Sequence, residues 1–433
     1  MKRYKTATGS SIESITYPKK IHFKEFDLNN GLHCILHKDN RNPIVNVTVA
    51  YKVGSKDENV NKKGIAHLFE HLMFQGSDNV KKNEHFNYVM KSGGVCNAFT
   101  MHDMTVYFEL MPSNSFEISL WLESERMNSL NISEDNLLNQ KNVVIEEKKQ
   151  IHDNAPYGTT IKNIFENIFR GSGYESAVIG EVSDINSFSS EEAMNFHNNY
   201  YSPENSVLMV SGDIDYDNAE KLIRKYFTGI EKQNTIIRKK NNIVCLSEDI
   251  DLQVYDNVQL SFLNLCYQIP PIGNKSNYSL DYLGEIIANN KSSRLYKKLV
   301  YEKKFLKSIK AVKYELEDAG IFLLRAMINP GVDVEDIKNE IFKVINDLAE
   351  QGCTDEEFQK VKNQIEFDNT VKHIKLQNIS IETIFNYHYF KDTNRINSEM
   401  NKYLSVTKQD IKNSVNDFIK NKNKLILTYL PKN

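Results

Sequence analysis

His67, Glu70 and His71 are the residues of this sequence whose types and spacing can do chemistry together. Histidines four apart on a helix share one face, with Cβ atoms about 5–6 Å apart. Two imidazoles at that separation can meet one tetrahedral zinc ion. Glu70, one residue before the second histidine, lies on the adjoining part of that face. There its carboxylate can take a proton from a zinc-activated water without being a ligand itself. Such a site still needs a third protein ligand and one open position. The same spacing also suits two packed or solvated histidines on an ordinary amphipathic helix, so the motif needs support from its surroundings.

Those surroundings place the motif on a helix that follows strands. Residues 32–38 and 44–53 alternate or run apolar with β-branched side chains, as strands do. Spacing turns helical over 64–75, and strand character returns at Thr105–Leu110. Helices are predicted over Ser115–Leu130 and from Glu134 to about His152, then a strand at Val207–Ser211 and a helix at Asp217–Phe227. A polar, charged stretch at 231–246 reads as a link. Beyond it the order recurs: strand Val258–Tyr267, helix Tyr278–Asn289, strand Gly320–Met327, helix Val334–Gln351 and strand Lys424–Tyr429. The expectation is an α+β chain of two similar halves, 1–230 carrying the metal motif and 247–433 following the link.

Bulk properties exclude several classes. With 433 residues, 40% of them hydrophobic, the chain can bury more than one core. Its 54 basic and 57 acidic side chains leave a net charge of −3, so no basic surplus points to nucleic acid. Cys34, Cys96, Cys245, Cys266 and Cys353 are scattered and odd in number, which fits reduced thiols rather than a disulfide framework. Met1 to Ser14 carries early positive charge with no apolar run behind it, and no long uncharged apolar stretch occurs elsewhere. A chain without a membrane span is expected, in the cytoplasm, or in the periplasm if a leader has been removed.

The segment Gly64-Ile-Ala-His-Leu-Phe-Glu-His-Leu-Met-Phe-Gln-Gly-Ser77 resembles the zinc helix of the pitrilysin/insulinase family, the inverted zincins with a His-x-x-Glu-His motif. In that family the third ligand is a glutamate well downstream, in a helix reading Val-Val-x-Glu-Glu. This chain has Val143-Val-Ile-Glu-Glu147, and the resemblance assigns the ligand to Glu147, leaving Glu146 as a solvated charge. Gly93-Gly-Val-Cys-Asn-Ala98 is similar to the family segment leading into a strand whose free edge pairs with the substrate backbone. By that likeness Asn97 and Ala98 lie along the bound peptide. Pro156-Tyr-Gly158, Tyr201-Ser-Pro203 and Gly212-Asp213 match as well. The resemblance implies two α/β-roll halves, antiparallel-rich sheets with flanking helices, forming half of a clamshell chamber. It implies one zinc per chain and an endopeptidase acting on unstructured peptides, with Glu70 as general base.

One departure bears on assembly. Family members carry an arginine and a tyrosine after a Ser-Ser-Arg-Leu-Phe-like segment, and both reach the zinc site of the facing subunit. Here Ser292-Ser-Arg-Leu-Tyr296 is present, but Val300 and Lys307 stand at the two positions. Valine has no donor, and lysine has no phenolic hydroxyl. The expected assembly is a heterodimer with a homologous subunit that has the pair and lacks the zinc ligands, rather than a homodimer. Other readings the resemblance leaves open are a peptidase removing targeting sequences and a non-catalytic core-protein-like subunit.

Overall fold

The computed structural model describes residues 20–59, 61–232, 238 and 241–432. Met1–Ser14 and part of the polar link lie outside the described residues. Strands β1 (Lys24–Asp27), β2 (His33–Lys38), β3 (Ile44–Tyr51), β4 (Val95–Thr100), β5 (Thr105–Pro112) and β6 (Ser206–Gly212) form one sheet in the order β1-β2-β6-β3-β5-β4. Strands β7 (Ile250–Asp256), β8 (Phe262–Ile269), β9 (Leu306–Glu315), β10 (Gly320–Ile328) and β11 (Lys424–Pro431) form a second, ordered β7-β11-β8-β10-β9.

The two sheets repeat one plan. Leaving β1 aside, β2 to β6 map in chain order onto β7 to β11, and the spatial orders then coincide. Directions agree too. The β2–β6 and β7–β11 pairs are parallel, and the remaining pairs of both sheets are antiparallel. The α+β class with two similar, antiparallel-rich halves, inferred above from pattern order and resemblance, is thus the observed architecture.

Each half also lends a helix to the other. The helix Thr160–Ile168, from the first half, packs Ile164, Phe165 and Ile168 against Phe262, Cys266, Leu323 and Leu427 of the second sheet. The helix Leu376–Phe390, from the second half, packs Ile379 and Ile384 against Ile35, Ala50, Val106 and Met209 of the first. Burying such side chains stabilises by about 1.5–3 kcal/mol each, so the exchange ties the halves firmly. Asp103, after β4, adds a polar tie: it accepts from Tyr174 Oη at 2.8 Å, Tyr389 Oη at 3.2 Å and the Glu317 amide at 3.0 Å.

Several elements differ from the sequence reading. The strand expected at Val258–Tyr267 is β8, which runs Phe262–Ile269, and β7, Ile250–Asp256, lies wholly before it with no counterpart in the reading. In β7 alternate residues are exposed, as suits a strand at the edge of the sheet. The helix expected over 64–75 is shorter: α1 spans Ile65–Leu72, and tighter bonds from Phe74 to His71 and from Gln75 to Leu72 close it before Gly76 at φ +109°. The helix begun at Glu134 remains α-helical only to Lys148, then widens into a π-helix over Lys149–Asp153. Strand β9 and the helices Asp355–Lys372 and Leu376–Phe390 had no counterpart in the reading.

Gly54 shows how closely the pieces around α1 pack. A Cβ there would lie 2.3 Å from the His102 carbonyl oxygen and 2.4 Å from that of Met101. The approach lets the amides of Ser55 and Lys56 bond those carbonyls at 3.2 and 3.0 Å. Gly54→Ala is expected to cost about 1–3 kcal/mol, the range for overpacking a closed site, and thermal unfolding would show it. An unchanged Tm would mean that the approach is looser than described.

Candidate metal and catalytic site

The first half gathers the chemistry on α1, on α4 (Glu134–Lys148) and on the free edge strand β4; α2 (Glu84–Lys91) and α3 (Phe116–Asn128) lie between. On α1, Ile65, Ala66, Leu68, Phe69 and Leu72 are buried in the core, which turns His67, Glu70 and His71 to the opposite face. Gly64, the residue before the helix, has no side chain to cap its start. Instead the buried carboxylate of Glu58 accepts the amides of Gly64 at 2.9 Å and Ala66 at 2.8 Å, satisfying donors a helix start leaves unpaired. On α4 the Ser133 hydroxyl caps the start by accepting the Asn136 amide, and buried Leu137, Val144 and Ile145 set the phase of the helix against α1.

That phase separates the two neighbouring glutamates. Glu147 Oε2 is 3.2 Å from His71 Nε2, and Oε1 is 3.8 Å from His67 Nε2. Glu146 points away and pairs with Lys149 at 2.6 Å. The two histidine rings lie edge to face with centroids 5.0 Å apart. One ligand atom from each of His67, His71 and Glu147 fits within a 4.8 Å span, and this is the one such group found among the described residues. Donors about 2.1 Å from a tetrahedral zinc stand about 3.4 Å apart, so the set needs only small side-chain movements to hold that ion.

Burial pushes the His67 imidazole down to about 4, helped by His71 beside it, so the ring is neutral and able to donate a lone pair. The hydrogen bond with His71 holds the Glu147 carboxyl below its ordinary range, against the opposing effect of burial. Glu70 is raised instead, by burial first, although the Thr100 hydroxyl counteracts this by donating to its Oε2 at 2.5 Å.

Strand β4 stands at the end of its sheet, with one edge unpaired. Asn97 is exposed and Ala98 half-buried on it, and the Ala98 amide donates to Asn97 Oδ1 at 2.9 Å. Elsewhere, His85 is buried against Glu109 at 2.7 Å, and His102 is stacked on Phe165. Val300 packs half-buried against the second core, Lys307 is exposed on β9, and Arg294 is engaged with Glu357 at 2.8 Å. Thr100 is the one polar contact of Glu70 that spacing did not reveal. The available signal was its place two residues beyond Ala98, on the same face of a strand.

Fold and site together define a class, that of α+β chains built from two like sheets with a His/His/Glu donor set on the first. The chain belongs to the insulinase family, peptidase family M16. Residues 34–182 match the family model described as Insulinase (Peptidase family M16), and residues 187–365 the model described as Peptidase M16 inactive domain. A Helicobacter pylori protein named zinc protease PqqE is 31% identical over 358 residues, covering 82% of this chain and 80% of that protein. The crystal structure of a protease from Helicobacter pylori superposes with a TM-score of 0.89 at 27% identity, covering 95% of this chain and 100% of the other. The periplasmic protease PqqL of Escherichia coli superposes at 0.80 with 17% identity. There 94% of this chain matches 47% of the other, a likeness of fold. No helix of the described residues is long and apolar enough to cross a membrane.

Proposed function

We propose that this chain is the zinc-binding, catalytic subunit of an endopeptidase that hydrolyses unstructured peptides. The observation that carries the reading is the meeting of the His67, His71 and Glu147 donors beside the Glu70 carboxylate, within a chain whose relatives are named zinc proteases. His67, His71 and Glu147 would hold one zinc ion. Zinc, when bound, supplies Lewis-acid polarisation and a water that ionises near neutral pH. A peptide adds along β4 at Asn97 and Ala98, where its backbone takes the place of Asn97 Oδ1 on the Ala98 amide. As water attacks the scissile carbonyl carbon, Glu70 accepts a proton on the carboxylate oxygen that Thr100 does not hold. It passes that proton to the amide nitrogen as the C–N bond breaks, releasing the amine. A homologous partner without zinc ligands supplies the arginine and tyrosine that Val300 and Lys307 do not. Removal of targeting sequences would use the same groups on a narrower substrate. A purely structural subunit has no use for a complete donor set with a base beside it.

The ligand assignment makes a sharp prediction. Glu147→Gln should weaken zinc binding by more than the roughly 10–100-fold that loss of an outer hydrogen-bond partner costs, and activity should fall with it. Glu146→Gln should leave both unchanged, because that side chain faces Lys149. Zinc content after dialysis, with peptide cleavage before and after chelation, reads the result. Equal zinc in the two variants would remove Glu147 from the site.

A further inference from the structure

Resting on the reading of Glu70 as the base, we propose that Thr100 is a positioning residue for it: the last residue of the peptide-receiving strand holds one oxygen of the Glu70 carboxylate and aims the other at the reacting water. The Thr100 hydroxyl donates to Glu70 Oε2 at 2.5 Å, a short charge-assisted bond. A carboxylate on a helix has three side-chain torsions, and one fixed oxygen leaves it little freedom to swing away from the site.

Both ends of this bond are tied to the same stretch of backbone. Residues 54–56 clamp the turn after β4, with Ser55 and Lys56 amides on the Met101 and His102 carbonyls. Glu58, in the same stretch, caps the start of α1, which carries Glu70. Thr100 and Glu70 are therefore held in register by short covalent paths as well as by their own contact.

The face of β4 matters equally. Cys96 and Ala98, alternating with Thr100, pack towards the first core beneath α1, whereas Phe99 turns to the other side, against Phe385. A peptide pairing at Asn97 and Ala98 adds hydrogen bonds to the strand that ends in Thr100, stiffening the hold on the base as substrate arrives. This couples docking to the base alignment through two residues of strand.

The test compares Thr100→Val, Thr100→Ser and Glu70→Gln in the zinc-loaded chain, with whatever homologous partner its activity requires. Cleavage of a fluorogenic unstructured peptide gives kcat and KM, and zinc content and Tm are measured alongside. Thr100→Val keeps the shape and loses the donor. Its kcat should fall about 10–100-fold, the usual effect of removing an outer partner, with zinc one-to-one and KM within about twofold. Thr100→Ser restores the hydroxyl and should return kcat to within about threefold of wild type. A Thr100→Val chain with full kcat, or a Thr100→Ser chain as slow as it at equal zinc and Tm, overturns the inference while leaving Glu70 as the base. An active Glu70→Gln chain overturns the reading itself, and this inference with it.

Discussion

Glu70→Gln is expected to give a folded chain that binds zinc one-to-one and cleaves peptides about 10²–10⁴-fold more slowly than wild type, the range for losing a general acid–base group. Glutamine keeps the shape of the side chain and its place on α1, between His67 and His71, so the ligand geometry is undisturbed. The Thr100 hydroxyl can still donate to the amide oxygen. What is lost is the ability to accept a proton. Folding should not suffer. Burial disfavours the charged form of Glu70 in the native chain, so a neutral amide removes a cost rather than adding one. The signature is thus a Tm no lower than wild type, unchanged zinc and a collapsed kcat. A variant with unchanged zinc that still cuts at the parental rate would sink the assignment of Glu70.

How much of this was legible beforehand depended on whether a feature is local. The helix of His67 and His71 was readable because its apolar residues repeat at helical spacing and its partner atoms are four residues apart. Val334–Gln351 was readable to the residue for the same reason: one face is buried and the other wet. The helix Leu376–Phe390 was not. It buries Ile379, Ser380, Thr383, Asn386 and His388 on several sides between the halves, so no clean stripe forms. Its partner sheet is also contributed by residues roughly 170 to 350 positions earlier. Strand β7 was hidden because half-exposed Ile250–Asp256 carries charges that weaken a strand pattern.

The site divides along the same line. Choosing between Glu146 and Glu147 needs the rotation of α4 against α1, which tertiary packing of Val144 and Ile145 sets and local spacing does not. Family likeness supplied that choice. Thr100 had only its place two residues beyond Ala98; thirty residues from Glu70, it carries no spacing signal towards that partner, and only the β4–α1 contact brings the two together. The likeness of the two halves sits between these cases. Pattern order suggested it, and only the matched strand order and direction of the two sheets make it definite.

Assembly gives the second large effect. The chain alone is expected to cleave a fluorogenic unstructured peptide at least about 10²-fold more slowly than a mixture with a homologue carrying the arginine and tyrosine, because loss of one preorganised donor to the developing oxyanion costs about 10²–10³ in rate. Val300 cannot take that part: it is half-buried against the second core and has no donor. Lys307 is exposed on β9 and offers a flexible, strongly hydrated ammonium in place of a phenol. Arg294 is committed to Glu357 and the Gly352 carbonyl, so it is not free to substitute. A homodimer would therefore repeat the same deficiency at both of its sites. The decisive comparison is activity of the chain, of the homologue and of the mixture, each with and without a zinc chelator, with the mass of each species measured by light scattering. Activity confined to the mixture and lost on chelation would place the zinc and the base on this chain and the oxyanion donors on its partner. Full chelator-sensitive activity from the chain alone would show that donors other than those at positions 300 and 307 stabilise the transition state, and the homodimer would then be the working enzyme.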